Sequence, residues 1–201
     1  MMKKLTALFA AAIMILGLSS CDSKQRLAEQ LQGTWTMQPD QITDTEGQTI
    51  GIMRLVEFVK EPSQAGGEIV ISSMVSVNTQ LPDNDNPEAP VSVTASGKAT
   101  ISGTWAAVDD DEIAIYLRPE TFSVEVDPSA TVLTPAGEMS ENGPDLAKLQ
   151  PSAAQYVRQQ ITESLRGDFF KFTKIDDIKI QGNIMTCEVN HRDITLRTTK
   201  D

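Results

Sequence analysis

Apolar residues recur at every second position through most of this chain. In Thr49–Lys60, Ile50, Ile52, Val56 and Phe58 fall at even spacing, and in Glu68–Asn78, Ile69, Ile71, Val75 and Val77 alternate with Ser72, Met74 and Ser76. A period of two is the signature of a strand with one buried face. The same reading gives strands at Gly33–Gln38, Val91–Ala95, Ala99–Val108, Glu112–Arg118 and Thr121–Val126, with Ser96-Gly97-Lys98 and Asp109–Asp111 as turns and Leu81–Pro90 as a polar loop. Asp127–Gly143 is irregular and rich in Pro, Gly and small residues. The period then changes. Ala154, Val157, Ile161 and Leu165 are three and four apart, which predicts a helix over Ser152–Arg166, with Pro151 ahead of it and Gly167 as its C-cap. Strands return at Asp168–Lys174, Asp177–Ile180, Ile184–Asn190 and Ile194–Thr198, with turns at Gly182-Asn183 and His191-Arg192. Many short strands with turn signals between them and one helix predict a mainly β chain, a barrel or a sandwich.

The first twenty residues do not belong to this pattern. Met1–Lys4 is short and basic, and Leu5–Leu18 is apolar but too short to span a bilayer, which takes about 20 apolar residues. Leu18-Ser19-Ser20-Cys21 follows and resembles the lipobox of bacterial lipoproteins. The resemblance implies cleavage before Cys21, diacylglycerol on its sulfur and an acyl chain such as palmitate on the new terminus. It also implies anchoring in a bacterial cell envelope. Asp22 resembles an inner-membrane retention signal of enteric bacteria, whereas in lipoproteins of Bacteroidetes type an acid near this position carries no such meaning. The expected location is the outer membrane, with its periplasmic and surface faces both open. The expected organisation is a leader over 1–20, a lipidated tether over 21–30 and one domain over 31–201, with a helix insertion at about 144–167. The polar stretch Ser23–Gln30 reads as a linker or as a first helical turn.

Removing 1–20 removes two lysines and no acid, which takes the net charge from −11 to −13. A body this acidic repels phosphate backbones, so nucleic acid is not an expected partner. It offers no basic patch to anionic lipid, so the membrane is reached through the lipid on Cys21. With Cys21 acylated, Cys187 has no partner, and its place in an apolar strand reads as a buried thiol. One histidine, His191, and one free cysteine do not make a zinc site. Asp83-Asn84-Asp85-Asn86-Pro87-Glu88 fails the EF-hand pattern, since Pro87 and Glu88 take a ligand position and the obligatory glycine. His191-Arg192-Asp193 reads as a turn. The chain has no Gly-x-Ser-x-Gly elbow and no phosphate-binding glycine loop. No cofactor, metal or catalytic group is expected, and a carboxylate cluster in a deep cleft would be needed to argue for an enzyme.

Leu31-Gln32-Gly33-Thr34-Trp35 is echoed by Ile101-Ser102-Gly103-Thr104-Trp105. The first resembles the Gly-x-Trp opening of lipocalins and other calycins. The second resembles an internal Gly-Thr-Trp of lipocalin-like lipoproteins of Bacteroidetes, followed there too by an acidic turn and an apolar strand. The resemblance spans Leu31–Arg118 and Asp168–Thr198. The long stretch Asp127–Gly167 departs from a simple eight-stranded barrel. What it implies is an antiparallel lipocalin-like barrel with one inserted helix before the C-terminal strands, in which Gly33 bends the first strand, Trp35 plugs the closed end and Arg197 lies over Trp35. The expected function is non-enzymatic binding of a small hydrophobic ligand, with Ile71, Val75, Val93, Ile115 and Leu117 as lining. The alternative is a filled barrel serving as a protein-interaction or envelope-assembly module, with an envelope protein as partner. The Ser152–Arg166 helix packs on the sheet or forms a lid over an open barrel end.

Overall fold

The computed structural model describes residues 22–43, 49–81, 91–135 and 145–198. The leader, Cys21, the segment holding Asp83 and Asp85, and residues 136–144 lie outside them. The chain begins with helix α1 (22–31). Strands β1 (Gly33–Met37), β2 (Asp40–Thr43), β3 (Thr49–Lys60), β4 (Gly66–Gln80), β5 (Val91–Ala107), β6 (Ile113–Leu117), β7 (Ser123–Val126) and β8 (Val132–Pro135) follow. Helix α2 (Leu146–Phe169) comes next, then β9 (Lys174–Gln181), β10 (Ile184–Val189) and β11 (Arg192–Thr198).

The eight strands β1, β3, β4, β5, β6, β9, β10 and β11 close into an antiparallel barrel, because β1 pairs with β3 on one side and β11 on the other. The mainly β class, the closed antiparallel barrel and the helix ahead of the last three strands are as the sequence predicts. One cluster of buried apolar residues, running from Leu27 to Leu196, fills it. The segment read as a linker or a first helical turn is α1, and its Leu27, Ala28 and Leu31 belong to that cluster. Among the described residues, α1 thus contributes to the core together with the strands and α2.

Three strands outrun the barrel. β3, β4 and β5 pair along almost their full lengths, from Thr49↔Asn78 to Lys60↔Gly67 and from Gly66↔Ala106 to Gln80↔Ser92. The expected break at Ser96-Gly97-Lys98 does not exist. β5 is one unbroken strand whose odd-numbered residues, Val91 to Trp105, all face inward. Gly97 is there for a different reason. A Cβ on it would lie 2.8 Å from Ile161 Cδ1 and 3.0 Å from both the Glu125 carbonyl and Val126 Cγ2. Ala95, Gly97 and Ala99 thus form a low track on which α2 rests through its buried Ala153, Ala154, Val157, Ile161, Leu165 and Phe169.

The far side of β5 is covered piecemeal by β6, β7 and β8. Their registers, Gly103↔Leu117, Gly97↔Val126 and Val91↔Pro135, show nine residues matching every six of β5. The surplus is taken up in two short 3-10 turns, each opened by a proline, Pro119–Thr121 and Pro128–Ala130. The start of the segment expected to be irregular is therefore a turn and an edge strand. At the second turn, Asp127 Oδ1 accepts from the Ser129 amide and hydroxyl at 2.8 and 2.7 Å, which holds its carboxyl below the usual range.

Helix α2 is longer than its apolar stripe. It starts at Leu146, so Pro151 lies inside it on the exposed side, and it runs through Gly167 to Phe169. Gly167 is helical and not a C-cap. Asp168–Lys174 is accordingly not a strand, and β9 begins at Lys174. Asp177 does not start a new strand either. It has φ +50° within β9, where Asp177 and Ile178 together stand opposite Cys187 in a bulge. The β10–β11 hairpin turns on Asn190 and His191, whose φ of +52° and +61° fit a type I′ turn one residue earlier than His191-Arg192.

Gly97→Ala should cost about 1–3 kcal/mol, because a methyl group there pushes the helix off the sheet. Adding Ile161→Val removes the nearest atom. Chemical denaturation of the double variant should give a loss smaller than the sum of the single losses by about 0.5 kcal/mol or more, and additive losses would mean that the helix does not rest on Gly97.

Candidate functional site

One end of the barrel is shut. Gly33, at φ +124°, lets the chain turn from α1 into β1 in a conformation that L side chains rarely adopt. Trp35 is buried, and its Nε1–H donates to the Leu31 carbonyl of α1 at 2.7 Å. Trp105 is buried at the same end, donates from Nε1 to the Glu68 carbonyl at 3.1 Å and meets Phe58 edge to face at 5.3 Å between centroids. The two Gly-Thr-Trp segments thus both serve the closed end. Arg197 does not lie over Trp35. The register pairs Trp35 with Thr198 and Thr36 with Arg197, so strand alternation turns Arg197 to the outer face, where it is exposed. The cover on Trp35 comes from α1.

The other end is open on one flank. β1 stops at Met37, and β2 resumes beside β3 one residue out of step, from Thr36↔Leu55 to Asp40↔Ile52. Gln38-Pro39 spans the step. β2 pairs with β3 alone, and the first residues of β11, Arg192–Thr195, pair with β10 alone, so the seam between β2 and β11 parts. The last turn of α2 and the residues after it lie over this gap. They leave a cavity of about 330 Å³, which continues into a cleft of about 260 Å³ between β2 and β11. Its apolar lining is Met37, Ile71, Phe169, Phe172, Val189 and Ile194. Its charged lining is Asp40, Arg54, Asp168, Lys171 and Arg192.

Arg54 is the unusual member. It stands in the inward-facing series Ile50, Ile52, Arg54, Val56, Phe58, is only 15% exposed, and pairs with Asp168 at the end of α2. Its register partner on β4 is Ser73, which stands in the inward-facing series Ile69, Ile71, Ser73, Val75, Val77. Ser73 is fully buried, and its hydroxyl has no hydrogen-bond partner. Beyond Ser73, the register partner on β5 is Ala99. Two apolar strand patterns therefore break at the same level of the wall. The signal was present in the sequence as two gaps, each of which looks incidental when its strand is read alone.

The lining residues expected from the sequence fall in different places. Ile71 lines the cavity. Val75 is buried in the core cluster and borders a shallow outer groove beside Met53 and Met74. Val93, Ile115 and Leu117 are buried in the core cluster. Cys187 is buried on the inner face of β10. His191 is at a hairpin tip, with Nδ1 3.1 Å from Glu188. Among the described residues no three His, Cys, Asp or Glu side chains converge as metal ligands, and no helix is long and apolar enough to cross a membrane. No protein-family model matches the chain, and no curated protein matches it at a significant level.

Burial pushes the Cys187 thiol up to about 12 from an ordinary value of 9.0. In native Asp22–Asp201 at pH 8, Cys187 should resist alkylation by iodoacetamide, and in the unfolded fragment it should react. Between pH 9 and 12 the unfolded chain releases a proton that the folded chain keeps, so this group lowers stability as pH rises. Denaturation curves should show that decline in the wild type and a shallower one in Cys187→Ala, and parallel declines would remove Cys187 as the cause.

Proposed function

We propose that the protein is a lipid-anchored, non-enzymatic protein of a bacterial envelope that holds a small, largely apolar molecule where the barrel mouth meets α2. The observation that carries this is the cavity of about 330 Å³, which lies within the range of small-ligand sites, roughly 300–1,000 Å³. Six of its lining residues are apolar, and five charged groups and Asn190 converge on it, which suits a molecule with an apolar body and a polar end. The binding place differs from a lipocalin-like calyx in one respect. The barrel interior is filled by side chains, so the ligand sits at the rim under the end of the helix. The lipobox-like Leu18-Ser19-Ser20-Cys21 supports the anchor, and the acidic body supports a membrane contact made through lipid alone.

A second reading is favoured by a separate observation. Met53 and Met74 face each other in register on the outer surface, 39% and 47% exposed, beside the groove lined by Val75. Methionine suits adaptable contact surfaces, and this patch fits a filled barrel that binds an envelope protein.

Native mass spectrometry of Asp22–Asp201, purified after exposure to an envelope extract, separates the two. An added mass released on denaturation as an apolar small molecule is expected, and a bare mass at every extract concentration would move the function to the protein-binding surface. The anchor has its own test. A clickable fatty acid fed to producing bacteria should label the full chain, and Cys21→Ser should abolish the label; persistent labelling would place the lipid elsewhere.

A further inference from the structure

We infer that the small molecule carries an acid group, and that Arg54 receives it in place of Asp168, with Ser73, the register partner of Arg54, in the wall beside it. This rests on the reading of the mouth cavity as a binding site. Arg54 gains nothing as a packing residue. An arginine on the inner wall of an apolar barrel loses hydration, and burying a charge is unfavourable unless it is paired and hydrogen-bonded. A Leu or Val would continue the strand pattern at no such cost. Among the described residues the guanidinium is instead paired with one carboxylate, Asp168, whose side chain is 45% exposed and belongs to the final turn of α2. A guanidinium has five donors and binds carboxylates in a fork, so one partly solvated aspartate leaves donors free.

The second observation is independent of the arginine. The Ser73 hydroxyl is directly across from Arg54 in the β3–β4 ladder, fully buried and without a partner. An unmade hydrogen bond at a buried hydroxyl is unfavourable, and an alanine at this position would avoid it. A carboxylate on Arg54 brings an acceptor to the same level of the wall, although Ser73 is not itself among the residues that line the cavity. The tail of such a molecule then lies along Ile71, Phe169 and Phe172, and Lys171 and Arg192 at the rim favour an anion over a neutral or cationic head. Asp168 occupies the subsite when it is empty, as a resident carboxylate of the same chemistry. Asp40, the other acid of the cavity, lies on β2 across the parted seam.

Calorimetric titration of Asp22–Asp201 with octanoate and with 1-octanol, each below its micelle or solubility limit, tests this. Octanoate should bind at least about tenfold more tightly than octanol, the margin of one charge-assisted hydrogen-bonded contact. Arg54→Met and Ser73→Ala should each reduce that margin, while octanol affinity stays within about twofold. Asp168→Asn should tighten octanoate several-fold by removing its competitor, and this variant decides the matter if Arg54→Met does not fold. Equal affinity for acid and alcohol would overturn the acid subsite and leave the cavity as an apolar site. Binding of neither probe would overturn both the subsite and the ligand-binding function on which it rests.

Discussion

Closure of the barrel depends on β1, a strand of five residues that must complete the hydrogen bonding of two neighbours at once. Thr36 is opposite Leu55 on one side and Arg197 on the other, and Trp35 is opposite Val56 and Thr198. A strand so short has little pairing energy of its own. Its position is fixed by what surrounds it: the bend at Gly33, the Trp35 bond to the Leu31 carbonyl, and the burial of Leu27, Ala28 and Leu31 against the core. Helix α1 is thus part of the barrel's closing seam. The opposite seam, between β6 and β9, is equally brief. It has the pairs Ile113↔Ile175 and Ala114↔Lys174, flanked by backbone bonds from Ile115 to Thr173 and from Ile178 to Asp111. Lys174 reinforces it by bridging Glu112 and Asp176 at 3.0 and 2.8 Å, which raises its own pKa through those two contacts.

Because β1 is short and β3, β4 and β5 are long, the sheet extends past its own closure. The apolar face of that extension would meet water if nothing covered it, and α2 is the cover. Covering a concave sheet with a helix requires room, which the small residues Ala95, Gly97 and Ala99 supply. The helix ends before it reaches β11, and β2 has already left that strand. The cavity is the remainder of this geometry, a place that neither helix nor strand fills. Placing Arg54 and Asp168 on its two walls ties the helix end to the barrel across it.

Much of this was legible in the sequence. The period-two pattern gives the strands, the change to three and four gives α2, and the two Gly-Thr-Trp segments point to a barrel end. Three kinds of feature were not legible, each for a physical reason. Gly97 looks like a turn residue because a glycine required by a close neighbour and one required by a turn are the same letter. Asp177 and Gly167 look like boundaries because a bulge within a strand and a glycine within a helix interrupt a pattern without ending the element. Arg54 and Ser73 look incidental because their meaning lies in the register between β3 and β4, which no single strand reveals. Arg197 shows the converse: a plausible position along the last strand says nothing about which face it takes until the register with β1 is known.

The docking of α1 also bears on reach. With residues 22–31 coiled and three of them seated in the core, no slack chain separates Cys21 from the domain. A helix of this length spans only about 15 Å at 1.5 Å per residue, far less than the same residues extended. A lipid on Cys21 would therefore hold the barrel against the bilayer surface like a bead on a very short thread. A ligand held at the mouth would then have to be collected and handed over at the headgroup layer, not ferried across the space beyond it.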